Sequence, residues 1–205
     1  MQKNTALIFD LGNVIINLKS DESWHKTDLL AHFNAEKLYQ LENDLFFNTY
    51  ETGKISTANF ITQLREIAVD ADISDEQIKT AWNAILLDIP KHRIELLYQL
   101  KKKYNLFLLS NTNDIHLDFI LDYLHQHFGK NIFDDIFDFQ YYSQKIGWRK
   151  PDKEIYELVI KTAQIDPHNA YFFDDKKENL IEPQKLGIHT ILVDRDISEL
   201  TSFLI

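Results

Sequence analysis

The chain contains no cysteine. A disulfide framework is thereby excluded, and so is any zinc site built on thiolates. Basic residues are scarce: 22 Lys and Arg stand against 32 Asp and Glu, a formal net charge of -10. Nucleic acid and anionic membrane surfaces both require a basic face, so neither is expected as a partner; a small anionic substrate stays open if one pocket is locally positive. No apolar run approaches the roughly 18 residues of a membrane span, and Met1-Gln2-Lys3-Asn4 is too short and polar for a signal peptide, so the expected location is the cytoplasm. No glycine-rich phosphate loop of either common type occurs. The eight histidines show no ligand spacing, and His125 and His127 read as helix surface rather than as a metal site.

What is present suits one domain with an insertion: 205 residues, 44% of them hydrophobic, are enough for a sizeable core. The organising stretch runs from Thr5 through Phe9 to Asp10, Gly12 and Asn13. An apolar run that ends abruptly in a carboxylate and Gly-Asn is how a buried parallel strand delivers one charged group to the carboxyl edge of a sheet. In open α/β sheets ligands bind outside those edges, so Asp10 is the first candidate for chemistry. An Asp capping an ordinary turn reads equally well from this segment alone.

From about residue 20 to residue 88 the pattern turns helical. Leu29, Leu30 and Phe33 form one apolar face, and Leu38, Leu41, Leu45 and Phe46 the next. Ser56 or Thr57 caps a helix carrying Phe60, Ile61, Leu64 and Ile67. Ser74 with Gln77 is a capping-box pattern opening a helix with Ile78, Ala81, Trp82 and Ile85 inward. These stripes predict a bundle of four helices spanning residues 18–88 and inserted after the first strand, with Trp82 in its core.

Beyond Pro90 strands and helices alternate. The pattern predicts a helix through Ile94, Leu97 and Leu100, a strand Tyr104–Leu109, a helix from Asp114 to His127, a short strand Phe137–Tyr142 and a helix Asp152–Ala163. It ends with a strand Ala170–Phe173, a helix Lys176–Leu186 stopped at Gly187, and a strand Ile188–Val193. Such alternation means βαβ units and a mostly parallel sheet, with residues 1–17 and 89–205 forming the core domain.

The strand ends then converge. One terminates in Asp10, one in Ser110-Asn111 and one in Asp174-Asp175, while Lys150 precedes a helix start. Three carboxylates in one crevice repel one another unless a cation neutralises them, and an all-oxygen set suits Mg2+. Lys150 adds a positive charge, and Ser110 a donor near a helix N-terminus that suits phosphate. Taken singly, Lys150 reads as a solvated charge, Ser110 as a helix cap and Asp174-Asp175 as a pair answering a helix dipole; their joint placement favours a site.

The ordered segments FDLGNV, LLSNTN, GWRKPD and FFDDKKEN resemble the four motifs of the haloacid dehalogenase superfamily over essentially the whole chain. The likeness is to its phosphatase branch with a helical cap, as in the bacterial alpha-glucose-1-phosphate phosphatase group and the phosphatase half of soluble epoxide hydrolase. It implies a Rossmann-like core with helices on both faces and a phosphatase that acts on a small phosphorylated metabolite, a sugar phosphate by preference, as a monomer or weak homodimer. Asp10 is implied as the nucleophile that becomes an aspartyl-phosphate, with Ser110, Asn111 and Lys150 holding the phosphoryl group. Mg2+ is implied on Asp10, the Gly12 carbonyl and Asp175, with Asp174 behind them or reaching the ion through water.

One position departs from the superfamily. Most of its phosphatases carry a second Asp two residues after the nucleophile to protonate the leaving alcohol, and here that residue is Gly12. Three other readings stay open: a dehalogenase of the same superfamily, which needs neither that acid nor a metal; a phosphonatase using Lys54 as an imine-forming residue; and a phosphometabolite-binding protein without turnover. Glu51, Lys54 and Trp148 are the candidates for a specificity lining.

Overall fold

The computed structural model describes residues 5–19 and 29–204. Five strands are present among them: β1 (Ala6–Phe9), β2 (Asn105–Ser110), β3 (Phe139–Tyr142), β4 (Ala170–Asp174) and β5 (His189–Leu192). They form one parallel sheet in the order β3-β2-β1-β4-β5, with Phe9 opposite both Leu108 and Phe173. All four β1 residues are buried, as a central parallel strand covered on both faces requires.

Between β1 and β2 lie α1 (Leu30–His32), α2 (Ala35–Asn43), α3 (Phe46–Glu51), α4 (Thr57–Glu66) and α5 (Asp75–Asn83). Each longer helix starts at a polar cap. The Asn34 side chain accepts from the Lys37 amide, the Ser56 hydroxyl from the Asn59 amide, and the expected Ser74–Gln77 capping box closes in both directions. The inward stripes meet in a core of their own, with Leu29, Phe33, Leu38, Tyr50, Phe60, Leu64, Ile78 and Trp82. Its centre is the Phe60 ring, stacked 4.0 Å from Tyr50 and 5.5 Å from Phe46.

The expected continuity from Leu38 to Phe46 is broken. Leu45 takes a left-handed conformation with φ 58° and lies 60% exposed, so Phe46 opens a new helix that turns its ring onto Phe60. The start of the helical pattern, residues 20–28, falls outside the described residues. The two chain crossings into this segment run side by side: the Asn17 amide donates to the Asp88 carbonyl, the Leu87 amide to Asn17 and the Lys19 amide to Ile85, each at 2.9 Å.

The sheet is then covered on both sides. Leu7, Phe9, Leu106, Leu108 and Phe173 face α6 (Lys91–Lys101) and α7 (Asp114–Phe128), which contribute Ile94, Leu97, Leu100, Ile120 and Leu124. The short helix α8 (Phe133–Ile136) packs there too. Ala6, Ile8, Phe107, Leu109 and Phe172 form the other face. After the single turn α9 (Ser143–Ile146), α10 (Lys153–Thr162) closes that face with Ile155, Tyr156 and Val159. Residues one apart in a strand point to opposite faces, so the apolar runs build both layers at once. This is a Rossmann-like α/β fold. The turns α8 and α9, four residues each, are too short to show a period and were not expected.

The expected helix Lys176–Leu186 is split into a 3₁₀ turn, Lys177–Leu180, and α11 (Ile181–Lys185). The site itself accounts for the split. Asp174 accepts from the Lys176 amide and the Asn179 side chain, and the Tyr156 hydroxyl donates at 2.7 Å to the Asn179 carbonyl, which ties this turn to the end of β4. A last turn, α12 (Ile197–Leu200), packs back on α6, where Asp196 holds Arg93 and His92 at 2.9 Å. No helix among the described residues is long and apolar enough to cross a membrane.

Candidate active site at the carboxyl ends of the strands

A cavity of about 380 Å³ opens where β1, β2 and β4 end, and Asp10, Gly12, Ser110, Asn111, Lys150 and Asp175 all line it. Glu51, Ile85 and Leu86 line it from the helical segment or its return crossing. Of the three specificity candidates Glu51 alone is among the lining residues; Lys54 is exposed elsewhere and Trp148 is 43% exposed. Lys19, Arg149, Lys150 and Lys176 line the cavity beside Asp10, Glu51 and Asp175, which brings four cationic side chains to it within an acidic protein.

Lys150 is the centre of the arrangement. Its side chain is 1% exposed, and its Nζ lies 2.6 Å from Asp10 Oδ1 and 2.7 Å from Asp174 Oδ2. Burial works against the charge of Lys150, but the two carboxylates outweigh it and hold its pKa above that of an ordinary lysine. Burial pushes the Asp10 carboxyl up to about 7, opposed by Lys150 and assisted by Asp174. Asp174 is fully buried, and its remaining acceptor capacity is taken by Asn179 at 2.9 and 3.1 Å and the Lys176 amide at 2.9 Å.

The loop bearing Lys150 is fastened by Asn111, whose side chain donates to the Lys150 carbonyl and accepts from the Lys150 amide, both at 2.8 Å. The Asn111 side chain thus positions Lys150. A phosphoryl group bound nearby is left Ser110, which is 2% exposed, and the main chain of Asn111. Asp175 receives a hydrogen bond from Asn13 Nδ2 at 2.9 Å. Asn13 stands at φ 55°, a left-handed conformation that Asn adopts more readily than most residues.

Oxygen atoms of Asp10, Asp174 and Asp175 lie within 4.8 Å of one another. Three carboxylates against the single buried ammonium leave the cluster short of positive charge, and the donors are hard oxygens. The set therefore fits Mg2+. Gly12 lies beside it, with φ outside the left-handed region.

The convergence of Asp10, Ser110, Asn111, Lys150, Asp174 and Asp175 agrees with their expected placement at strand ends. Sequence reasoning passed over Asn13, Asn179, Arg149 as a lining residue, and His116. Gly-Asn after a strand signals a left-handed turn and offered a hint of Asn13, whereas Asn179 and His116 become visible through contacts 5 and 33 residues away in sequence.

The segment's seat on the core is close. Glu51 meets Arg149 at 2.9 and 3.0 Å, and the Tyr50 hydroxyl accepts the Ile115 amide at 3.3 Å. A Cβ at Gly53, where φ is 66°, would collide with the Gln144 carbonyl oxygen, so this approach requires glycine.

Comparison with known proteins agrees with this geometry. The chain is 28% identical over 185 residues to D-ribitol-5-phosphate phosphatase of Bacteroides thetaiotaomicron, with 90% of this chain and 89% of that protein covered. A sesquiterpene phosphatase of Aspergillus oryzae is 29% identical over 190 residues, covering 89% of this chain and 86% of that one. A crystal structure of a haloacid dehalogenase family enzyme from Bacteroides thetaiotaomicron, in complex with magnesium and inorganic phosphate, superposes with a TM-score of 0.83 at 36% identity over 96% of this chain and 98% of that one. The model of the haloacid dehalogenase-like hydrolases matches residues 5–182, and the chain belongs to that family.

Proposed function

We propose that the protein is a Mg2+-dependent phosphatase of a small phosphate monoester, a sugar or polyol phosphate, working through an aspartyl-phosphate. The observation that carries the reading is the burial of Lys150 between Asp10 and Asp174 beside Asp175 and Ser110. Lys150 bonds Asp10 Oδ1 and its charge favours the carboxylate against burial, and it is in this ionised form that Asp10 attacks phosphorus. The bond from Asp10 to phosphorus forms as the phosphorus–oxygen ester bond breaks, and the leaving oxygen departs with the electron pair as an alkoxide that takes its proton from water. Water then attacks the phosphoryl group, the bond to Asp10 breaks, and phosphate and a regenerated carboxylate result. Ser110 donates to a phosphoryl oxygen, with the Asn111 main chain beside it, while Lys150 answers its charge.

Asp10, the Gly12 carbonyl and Asp175 would hold Mg2+, with Asp174 orienting Lys150 and Asn179 behind them. When bound, the ion neutralises phosphoryl charge and aligns the phosphorus with the nucleophile. Residues 18–88 act in this reading as a cap over residues 1–17 and 89–205. Support comes from their core, to which α7 adds Ile115, and from the paired crossings at residues 17–19 and 85–88. A small metabolite suits a cavity of this volume, and the cytoplasm and a monomer or weak homodimer belong to the same proposal.

The other readings fare less well. A metal-free dehalogenase has no use for Asp175 beside Asp10, and the phosphonatase reading rests on Lys54, which is not among the lining residues. The test is phosphate release from a panel of esters. Release should require Mg2+, stop with chelator and return on re-addition. A panel without any metal-dependent release would leave phosphometabolite binding as the better account.

A further inference from the structure

The similarity to known proteins leaves the leaving group open, because relatives of comparable identity act on a polyol phosphate and on sesquiterpene phosphates. The cavity contains a side chain able to choose. His116 sits in the first turn of α7, one turn beyond the Ser110-Asn111 strand end, and lines the same cavity as Asp10 and Lys150. Its Nδ1 lies 2.9 Å from Asn83 Oδ1 at the end of α5. With that oxygen as the acceptor, the ring proton is assigned to Nδ1 and the lone pair to Nε2. One face of the imidazole is stacked on Trp82, with centroids 5.5 Å apart and planes 6° from parallel.

The opposite face and Nε2 are free of these two contacts, and His116 lines the cavity. Among the described residues no group hydrogen-bonds Nε2. Burial lowers the imidazole pKa from 6.5 to about 3, so the ring stays neutral at ordinary pH. A fixed neutral acceptor welcomes an O–H or N–H donor. It meets a carboxylate or a second phosphate with lone pair against lone pair.

We propose that His116 is the specificity-determining residue of this site, held by Asn83 and Trp82 so that Nε2 accepts a hydrogen bond from a hydroxyl of a polyol or sugar phosphate and disfavours phosphorylated acids. The proposal rests on the phosphatase reading. It assigns the choice of leaving group to the seam where α5 of the helical segment meets α7 of the core. A site built to hydrogen-bond a substrate hydroxyl rejects the analogue that lacks it, because the half-buried acceptor is then left unpaired under the bound substrate.

The experiment uses the full chain with Mg2+ and four substrates: a pentitol phosphate, the n-pentyl phosphate that lacks the hydroxyls, a phosphorylated aldonic acid of the same length, and p-nitrophenyl phosphate as an internal control. Wild-type enzyme should favour the pentitol ester over the pentyl and acid esters. His116→Phe should lower kcat/KM for the pentitol ester by ~10–100-fold, mainly through KM, and change the aryl ester by a smaller factor, so that the ratio of the two falls. His116→Gln, whose amide oxygen still accepts, should recover part of the loss. Asn83→Leu, which releases the tautomer, should produce a smaller loss confined to the pentitol ester.

Equal losses on aryl and pentitol esters in both His116 variants, or no loss on either, would overturn the proposal. If His116→Phe fails to fold, the ratio of the two esters in His116→Gln and Asn83→Leu decides alone. Wild-type protein that releases phosphate from none of the esters defeats the phosphatase reading itself, whereas turnover without discrimination defeats only the role of His116.

Discussion

The sheet wall of the cavity buries an ammonium between two carboxylates within 2.7 Å, whereas the helical wall offers Glu51, Ile85 at the rim of an aromatic core, and Leu86 packed toward the sheet core. On the first wall polar groups are wired to one another through Asn13, Asn111 and Asn179. On the second, packing of Phe60, Tyr50 and Trp82 sets the position, and polar contacts occur where the segment meets the core. The difference separates two tasks. A phosphoryl group has one fixed geometry and suits preorganised charge, while leaving groups vary and suit a wall that can be rebuilt by repacking.

The sharpest way to break the sheet wall is Asp10→Asn. The amide fills the same volume, can still accept from Lys150 and is no nucleophile, so phosphate release should fall below about 1% of wild type with the fold intact by circular dichroism. Retention of a few per cent activity in a preparation free of wild-type protein would falsify the nucleophile assignment.

Asp174 and Asp175 should then part company. Asp174→Ala strips the buried ammonium of one partner and is expected to destabilise the protein by about 3 kcal/mol in urea unfolding. Asp175→Ala, partly exposed in the cavity, should change stability little but weaken Mg2+ more, where loss of a carboxylate that only orients the ligands typically costs about 10–100-fold. Metal titration and unfolding should therefore rank the two variants in opposite order. The same rank in both measurements would undo the division of labour.

Gly12 joins the two walls. With no acidic side chain there, the rate should depend steeply on leaving-group acidity, so aryl and anomeric sugar phosphates should outrun simple alkyl phosphates at saturation. A Cβ at Gly12 would approach Leu18 Cδ1 to 2.7 Å, the end of a flexible side chain, and the backbone there is not left-handed. Gly12→Asp should accordingly fold after a small shift of Leu18 and flatten the dependence. A shallow dependence already in the wild type, with chemistry rate-limiting in single turnovers, would show that another group supplies the proton.

The smallest effect is expected far from either wall. Burial opposes ionisation of Asp196, but hydrogen bonds from Ser198, His92 and Arg93 outweigh it and hold the carboxyl well below the usual range. A depressed folded value adds stability above the unfolded pKa near 3.9, and that stability is lost as pH falls through the folded one. Asp196→Asn should cost about 1–2 kcal/mol at pH 7, and its gap to wild type should shrink as pH drops below about 4. Urea unfolding at pH 7 and pH 3 checks both numbers.

Local periodicity and strand ends were enough to place the parallel sheet, the inserted helices and the convergence of Asp10, Ser110, Lys150 and Asp174-Asp175. An apolar run buried on both faces has little choice but a central parallel strand, and such strands expose their carboxyl ends together. The same reasoning failed at Leu45 and at Lys176–Leu186, where helix propensity was overridden by the stacking of Phe46 on Phe60 and by the bonds from Asp174 and Tyr156 to the Lys176–Asn179 turn. Only the tertiary structure decided which polar atoms are already engaged. It assigned the Asn111 side chain to the Lys150 backbone, Asn13 to Asp175, and Asn83 to His116. Those partners lie 33 to 162 residues apart, and a hydrogen bond carries no periodic mark in the chain, so its specificity exists once the elements are docked.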